Sequence, residues 1–391
     1  MTDILTVRPL SKRKTRVLFC EAGHRGGSVM QLHHLISCLD HSQLDMGFVS
    51  FHKDAMAAKL FELPGLFCRQ RLPLTPSPAP DTMKPLGAFW VPTPFALLYC
   101  LVAMHLVARY RPHVIYLNNS PRNHLPMLWV AARTGLPVIC HLREAIPLHG
   151  IDRLGLKYIS SYIALSQSLA QHYIGEGLDP SLIHVAYDTF ILSEFDREAL
   201  QPPASLLPPG PLYAVQVGTL NENKRPLLAV QAFAIAKETC PDLKLVLIGE
   251  GSARKRVEDM IRKYNLQGDV ILMGQRSDVP SLLTQCQIGM LLSKREGFPN
   301  AVLEYMASCL PVVVSQTASI YEMVIPNMTA FVLNDPTPAK VATTLSRLYH
   351  DAALRFQMGH AARQHLEHSP SVTDGATPTV QFLIQRIGRR S

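Results

Sequence analysis

Several signatures are missing from this chain, and each absence narrows what it does. Its eight cysteines include no Cys-x-x-Cys pair, which speaks against a zinc ribbon or a dithiol redox site. Cys20, Cys100, Cys140 and Cys309 sit inside apolar runs and read as small buried hydrophobes in a reducing compartment. The other candidate metal ligands, the histidines, are scattered without ligand spacing. Charged residues make up only 17% of the 391, yet the balance is basic, with net charge +8 and pI near 9.1. That balance suits nucleic acid, anionic lipid or an anionic substrate. No basic run is interleaved with aromatics, so a nucleic-acid surface is disfavoured. The short cluster Lys12, Arg13, Lys14 and Arg16 precedes the first strand and reads as a solvated tail. Met1-Thr2-Asp3-Ile4 has no signal-peptide pattern, and the expectation is a cytosolic or cytosol-facing protein.

Long apolar runs are also lacking. The stretch from Ala88 to Ala108 is nearly uncharged, but Pro92 and Pro94 break it and leave Phe95–Ala108, too short to cross a bilayer as a helix. Three readings compete: a buried core helix, an interfacial helix dipped into a membrane surface, and a spanning helix. There is no internal repeat and no low-complexity tract. Glycine (22) is outnumbered by proline (30), which implies many firm turns.

The length suggests two domains or one large one, and a hydrophobic share of 47% can fill two cores. Strands are expected at Arg16–Cys20, Met46–Ser50, His113–Leu117, Pro137–Cys140, Tyr162–Leu165 and Ile183–Ala186. A helix pattern runs through Met30, Leu32, Leu35, Ile36 and Leu39, and another lies near 122–134. Residues 63–94 are proline-rich and unassigned. Gln201 to Pro211 reads as a linker, after which the alternation restarts. Strands then fall near 212–217, 243–248, 270–273, 287–292, 312–314 and 330–333. A last helix lies near 377–387. Alternation of this kind argues parallel sheets covered on both faces, an α/β class.

The most telling segment is Ser293-Lys294-Arg295-Glu296-Gly297-Phe298-Pro299-Asn300, followed by Ala301-Val302-Leu303-Glu304. One acid lies in the loop leaving a strand, and the other about two turns into the next helix. Ligands of open α/β sheets bind at the carboxyl ends of strands, and the helix start favours a phosphate. Acids flanking an anion site make sense when they address sugar hydroxyls. An ordinary strand–loop–helix with solvated acids would carry the same pair.

This segment resembles the acidic motif of retaining glycosyltransferases, specifically glycosyltransferase family 4: Glu, seven residues, Glu, with Gly-Phe-Pro-Asn after the first acid. The resemblance covers most of 16–390 and is strongest from 212 to 335. It implies the GT-B architecture, two Rossmann-like domains facing a central cleft. Residues 1–200 would form the acceptor-side domain and 201–371 the nucleotide-sugar domain, with the 372–391 helix packing back on the first. It implies that Glu304 holds the ribose, that Lys224 and the backbone of the turn Gly297, Phe298, Pro299 and Asn300 hold the phosphates, and that Glu296 orients the sugar. His141, in His141-Leu142-Arg143-Glu144, would contact the transferred sugar; a packed or capping histidine is the alternative. The Gly23-His24-Arg25-Gly26-Gly27-Ser28 loop would lie against sugar or acceptor, although a tight structural turn is an equal reading of its glycines. Arg25, Asn118, Arg143 and Glu144 would shape the acceptor side, and Arg276, just past Gly274, the nucleobase end.

Two departures stand out. Thr219 replaces the family's arginine, with Arg225 or Arg295 as candidate substitutes. Ala318 and Ser319 replace a Gly-Gly pair, which stiffens the loop and leaves Glu322 as a structural candidate. No Asp-x-Asp occurs, so a metal-dependent transferase design is unsupported and no cofactor is expected beyond the donor, a UDP- or GDP-sugar. The expected acceptor is a lipid-linked or surface polysaccharide intermediate, with peripheral contact at the inner face of a membrane. Competing classes are a catalytically silent nucleotide-sugar binder or partner subunit, a nucleotide-sugar epimerase and a nicotinamide dehydrogenase, which share the layering.

Overall fold

The structure is a computed structural model that describes residues 14–21, 27–39, 44–50, 66–71, 93–119, 121–148, 150–204, 206–373 and 377–388. The loop 22–26, and with it Arg25 and Gly26, lies outside the described residues. Gly27 opens helix α1 (Gly27–Cys38).

The first sheet has seven parallel strands in the order β3-β2-β1-β4-β5-β6-β7. They are β1 Thr15–Glu21, β2 Leu44–Ser50, β3 Leu66–Arg71, β4 Val114–Asn118, β5 Val138–Leu142, β6 Ser161–Ala164 and β7 Ile183–Val185. The second has six, ordered β10-β9-β8-β11-β12-β13 and again parallel. Its strands are β8 Leu212–Val217, β9 Leu243–Ile248, β10 Val270–Gly274, β11 Ile288–Leu291, β12 Val312–Ser315 and β13 Ala330–Leu333. The central strands are near-continuous apolar runs because helices cover both faces of the sheets. Both sheets reverse their winding direction next to their first strand, between β1 and β4 and between β8 and β11, and open α/β sheets bind ligands at such points.

β3 lies in the proline-rich stretch left unassigned above. Its pairing with β2 supplies a partner that the local composition does not announce. The apolar 95–108 segment is part of helix α2 (Thr93–Tyr110). Ala103, Leu106 and Val107 enter the main core, whereas Leu101 is 57% exposed. Among the described residues no helix is long and apolar enough to cross a membrane. Helix α3 (Leu125–Thr134) packs beside α2 and ends on Gly135 at φ +67°, a conformation glycine adopts without strain.

Helices α4 (Gly150–Leu156) and α5 (Gln167–Gly175) complete the described helices of the first half, and α6 (Leu192–Ala199) follows β7. α6 packs on α9 (Val279–Leu283) and α10 (Asn300–Ala307) of the second sheet, and its Asp196 is bidentate with Arg363 at 2.7 and 2.8 Å. Packing therefore joins this helix to the second unit, although the composition shift in the sequence comes after it. The remaining helices are α7 (Pro226–Ala236), α8 (Arg254–Lys263), α11 (Pro338–His350), α12 (Ala352–Glu367), α13 (Pro370–Thr373) and α14 (Thr377–Gly388). α14 returns to the first sheet, where Phe382 stacks on His184 with centroids 4.6 Å apart and Leu383 joins the core beneath β1 and β2.

The units are also tied by Glu322. Its carboxylate accepts from the backbone N–H groups of Gln167 and Ser168, both at 2.8 Å, from the Ser168 hydroxyl, and from Tyr187 Oη at 3.0 Å. A second-unit acid thus sits on the N-terminus of α5, where the helix dipole favours it. It also pushes the Tyr187 phenol up, second to burial, to about 12. Glu322→Ala strips charge-assisted partners from four donors at once. We expect a loss of roughly 2–4 kcal/mol in unfolding free energy, measured by denaturant titration.

Candidate active site

The loops leaving β8 and β11 are stitched together where the second sheet reverses. The Asn223 side chain accepts from Arg295 N at 3.1 Å and donates to Arg295 O at 3.0 Å, while Lys294 N donates to Asn223 O at 2.8 Å. Gln216 Nε2 donates to Lys224 O at 2.8 Å. The result places Lys224 Nζ 2.6 Å from Glu296 Oε1, with the side chains 21% and 11% exposed. The expected phosphate cation and the expected sugar carboxylate are therefore neighbours and neutralise each other. The loop's path depends on Gly249, at φ +144°, where a Cβ would lie 2.0 Å from Gly218 O.

Glu304 is positioned by the residue after it. Buried Tyr305 accepts from Val217 N at 2.7 Å and donates to Met290 O at 3.1 Å, pinning α10 across β8 and β11. No side chain caps the start of α10. The Glu304 carboxylate takes no hydrogen bond from the described residues. Surrounding protein, and next Glu198, push its pKa from the usual 4.5 up to about 7. A carboxylate with a raised pKa and no partner is the kind of group a ligand's hydroxyls satisfy. Other buried polar atoms without partners lie nearby in the fold: Ser293 Oγ after β11, Asn300 Oδ1 on α10, Ser315 Oγ at the end of β12 and Thr317 Oγ1 after it.

The first sheet contributes a row across three strands. Glu21, Asn118 and His141 are in register at the carboxyl ends of β1, β4 and β5. Asn118 is fully buried: its amide donates to Glu21 and to Ser28 O, and its oxygen accepts from Arg143 Nε at 2.6 Å. Arg143 closes on Asp188 at 2.8 and 3.0 Å, the two side chains 6% and 5% exposed. Burial pushes Asp188 up, and Arg143 pulls it back. Asn118 and Arg143, expected on the acceptor side, thus have their side chains bonded into an internal network with Glu21 and Asp188. Glu144 lies within electrostatic reach of the second unit. Surrounding protein raises its pKa, Arg295 lowers it, Glu296 raises it and Lys224 lowers it. Of the two substitutes for the absent arginine, Arg295 is thus the one that acts on the facing unit.

The two halves meet at Gly297. A Cβ there would fall 1.9 Å from Arg143 O, and Ser166 Oγ donates to Gly297 O at 3.3 Å. Phe298 is buried, with its ring 5.4 Å from Tyr187. The Phe298 side chain therefore packs at this junction, and Pro299 is buried beside it in sequence. Ser319 Oγ donates to Glu296 O at 3.3 Å, which uses the hydroxyl that replaced a glycine. Arg276 is bidentate with Asp278 at 2.8 and 2.6 Å, which holds Asp278 down at about 2. Asp278 also accepts from Ala204 N in the linker. Arg276 thus holds the Asp278 carboxylate that ties the linker. Arg225 begins α7 with φ +48°. Glu21, Tyr116, Asp188 and Asn223 were not singled out from the sequence. Glu21 ends a strand and Tyr116 lies within one, but their partners were not visible in the sequence.

Residues 198–365 match the family model for Glycosyl transferases group 1. The chain is 28% identical over 145 residues to the putative glycosyltransferase EpsD of Bacillus subtilis, covering 37% of this chain and 38% of that one. It is 35% identical over 107 residues to the Escherichia coli UDP-Gal:alpha-D-GlcNAc-diphosphoundecaprenol alpha-1,3-galactosyltransferase, 25% and 26% of the two chains. The chain thus spans well under half the length of these curated relatives. The crystal structure of Anabaena Alr3699/HepE in complex with UDP superposes with TM-score 0.72 at 16% identity, over 96% of this chain and 100% of that one. The fold is GT-B.

Folding raises the Glu304 pKa, so the folded chain holds its proton longer than the unfolded one does. Its penalty is absent below about pH 4.5, grows as pH rises, and is complete above about 7. Glu304→Gln should therefore stabilise by about 2 kcal/mol at pH 8 and by little at pH 4.5, the shift being discounted for partial exposure. Thermal melts at the two pH values measure it. Gly297→Ala should lower Tm by several degrees, because backbone must move to admit the methyl group.

Proposed function

We propose that the protein is a retaining, family 4-type glycosyltransferase that moves a hexosyl unit from a nucleotide-diphosphate sugar to a lipid-linked or polysaccharide acceptor. The observation that carries this is the Lys224–Glu296 pair at the reversal point of the second sheet, with Glu304 about one turn into α10 and without a hydrogen bond from the described residues. A diphosphate would compete with Glu296 for Lys224, freeing the carboxylate for sugar hydroxyls while Glu304 accepts from the ribose. Lys224 and the amides opening α10 would offset charge on the leaving phosphate. In the reaction, the bond from the anomeric carbon to the phosphate oxygen breaks and the bond to the acceptor oxygen forms on the same face. The acceptor's proton passes to the leaving phosphate, giving the nucleoside diphosphate.

Support for the donor and acceptor classes comes from the relatives. The Anabaena protein was crystallised with UDP, and the Escherichia coli enzyme is named for UDP-Gal and a diphosphoundecaprenol acceptor. Peripheral membrane contact belongs to the same proposal, with exposed Leu101 on α2 as its physical motive. Thr219 at the family's arginine position favours one second reading, a silent nucleotide-sugar binder.

A melting-temperature screen against UDP, GDP and NAD, followed by turnover with UDP- and GDP-sugars, tests the proposal. Stabilisation by UDP or GDP is expected, with affinity falling roughly tenfold or more in Lys224→Ala and product absent in Glu296→Ala. Binding without product in the wild type supports the silent reading, and stabilisation by NAD alone overturns both.

A further inference from the structure

His141 is buried, 3% exposed, and its two ring nitrogens have unlike surroundings. Nδ1 faces the Tyr116 hydroxyl and also Arg143 Nη2 at 3.5 Å. Nε2 is buried with no partner. Arginine carries only donors, so a hydrogen on Nδ1 would oppose it. Tyr116, fully buried on β4, is kept as the neutral phenol by burial, which outweighs Arg143, and its hydroxyl has His141 as its one described partner. Both neighbours therefore present hydrogens to Nδ1, leaving it the lone-pair nitrogen and placing the ring hydrogen on Nε2.

The neighbours are themselves fixed. Arg143 is held by Asp188 through Nη1 and by Asn118 through Nε, and Asn118 is held by Glu21. His34 of α1 also acts on Asp188. Burial first, and then the Arg143 charge, push the His141 pKa well below its usual value. His141 lies two residues before Arg143, whose carbonyl meets Gly297 of the second unit. A buried N–H with no acceptor costs about 1–3 kcal/mol, which the fold tolerates when a ligand supplies the oxygen.

We propose that Tyr116, backed by Arg143, is a positioning residue that holds His141 as its Nε2–H tautomer. His141 then serves as a neutral hydrogen-bond donor to an oxygen of the bound nucleotide sugar, not as a proton-transferring acid or base. This rests on the transferase reading for its ligand but not for its tautomer.

Long-range nitrogen–proton spectra of histidine-labelled protein test it. The expected result is an unprotonated Nδ1 in His141 that does not titrate across about pH 5–8, where histidines ordinarily do. A protonated Nδ1, or titration in that window, overturns the proposal. In Tyr116→Phe, which keeps the ring packed, the tautomer signal should broaden or shift and kcat should fall roughly tenfold, with KM moving much less. His141→Gln places an amide N–H about where Nε2 stands and should keep activity within about tenfold of wild type. A glutamine variant as inactive as His141→Ala overturns the donor role. UDP-sugar perturbing Nε2–H where UDP does not assigns the oxygen to the sugar, and equal perturbation assigns it to phosphate. Both agree with the proposal, whereas no perturbation by either contradicts it. The expected spectra without sugar transfer by the wild type would sink the transferase reading alone.

Discussion

The close approach of Gly297 to the Arg143 carbonyl governs the rest of the site. No side chain fits between them, so the loop after β11 and the loop after β5 run backbone to backbone. That contact brings Glu296 and Lys224 from one sheet within electrostatic reach of Glu144 from the other. It also fixes where α10 begins, and with it the height of Glu304. The surrounding ties serve the same junction. Phe298 packs on Tyr187, Tyr187 donates to Glu322, and Glu322 seats the start of α5.

Around that contact, charge is distributed in two ways. In the first unit it is enclosed: Glu21, Asn118, Arg143 and Asp188 satisfy one another, and a buried pair of this kind is costly to break by removing one member. In the second unit it is left accessible or unmatched, as with Glu304 and the hydroxyls of Ser293, Ser315 and Thr317. In the first unit the unmatched group at the strand ends is His141 Nε2, whereas in the second several such groups surround α10.

Much of the fold was legible because apolar strand runs alternate with helix patterns, and the strands from 212 to 333 fall close to where periodicity puts them. β3 escaped because a strand is defined by its partner, and proline-rich flanks hide a short run whose pairing is remote. The acid pair was legible as a spacing, but Lys224 bonding to Glu296 was not, since 72 positions separate them and only sheet order joins them. Arg143, Asn118 and Arg276 illustrate the converse. Each is a polar residue at a strand end, which reads as a site residue, and each is consumed by a partner distant in sequence or hidden in a turn. Composition placed the division after residue 200, whereas packing carries 192–199 with the second half because its Asp196 finds Arg363.

The stacking of Phe382 on His184 has a mechanical corollary. The polypeptide crosses between the halves twice, once going out before α6 and once coming home through α13 into α14, where Phe190 N donates to Ser371 O at 2.9 Å. Two parallel straps restrain twisting far more than they restrain bending, much as a gate hung on two pins swings in one plane. Severing the return strap would free the halves to rotate and would bare the apolar floor under β1 and β2. A mobile, sticky and misaligned molecule would follow from a cut far from any reacting atom.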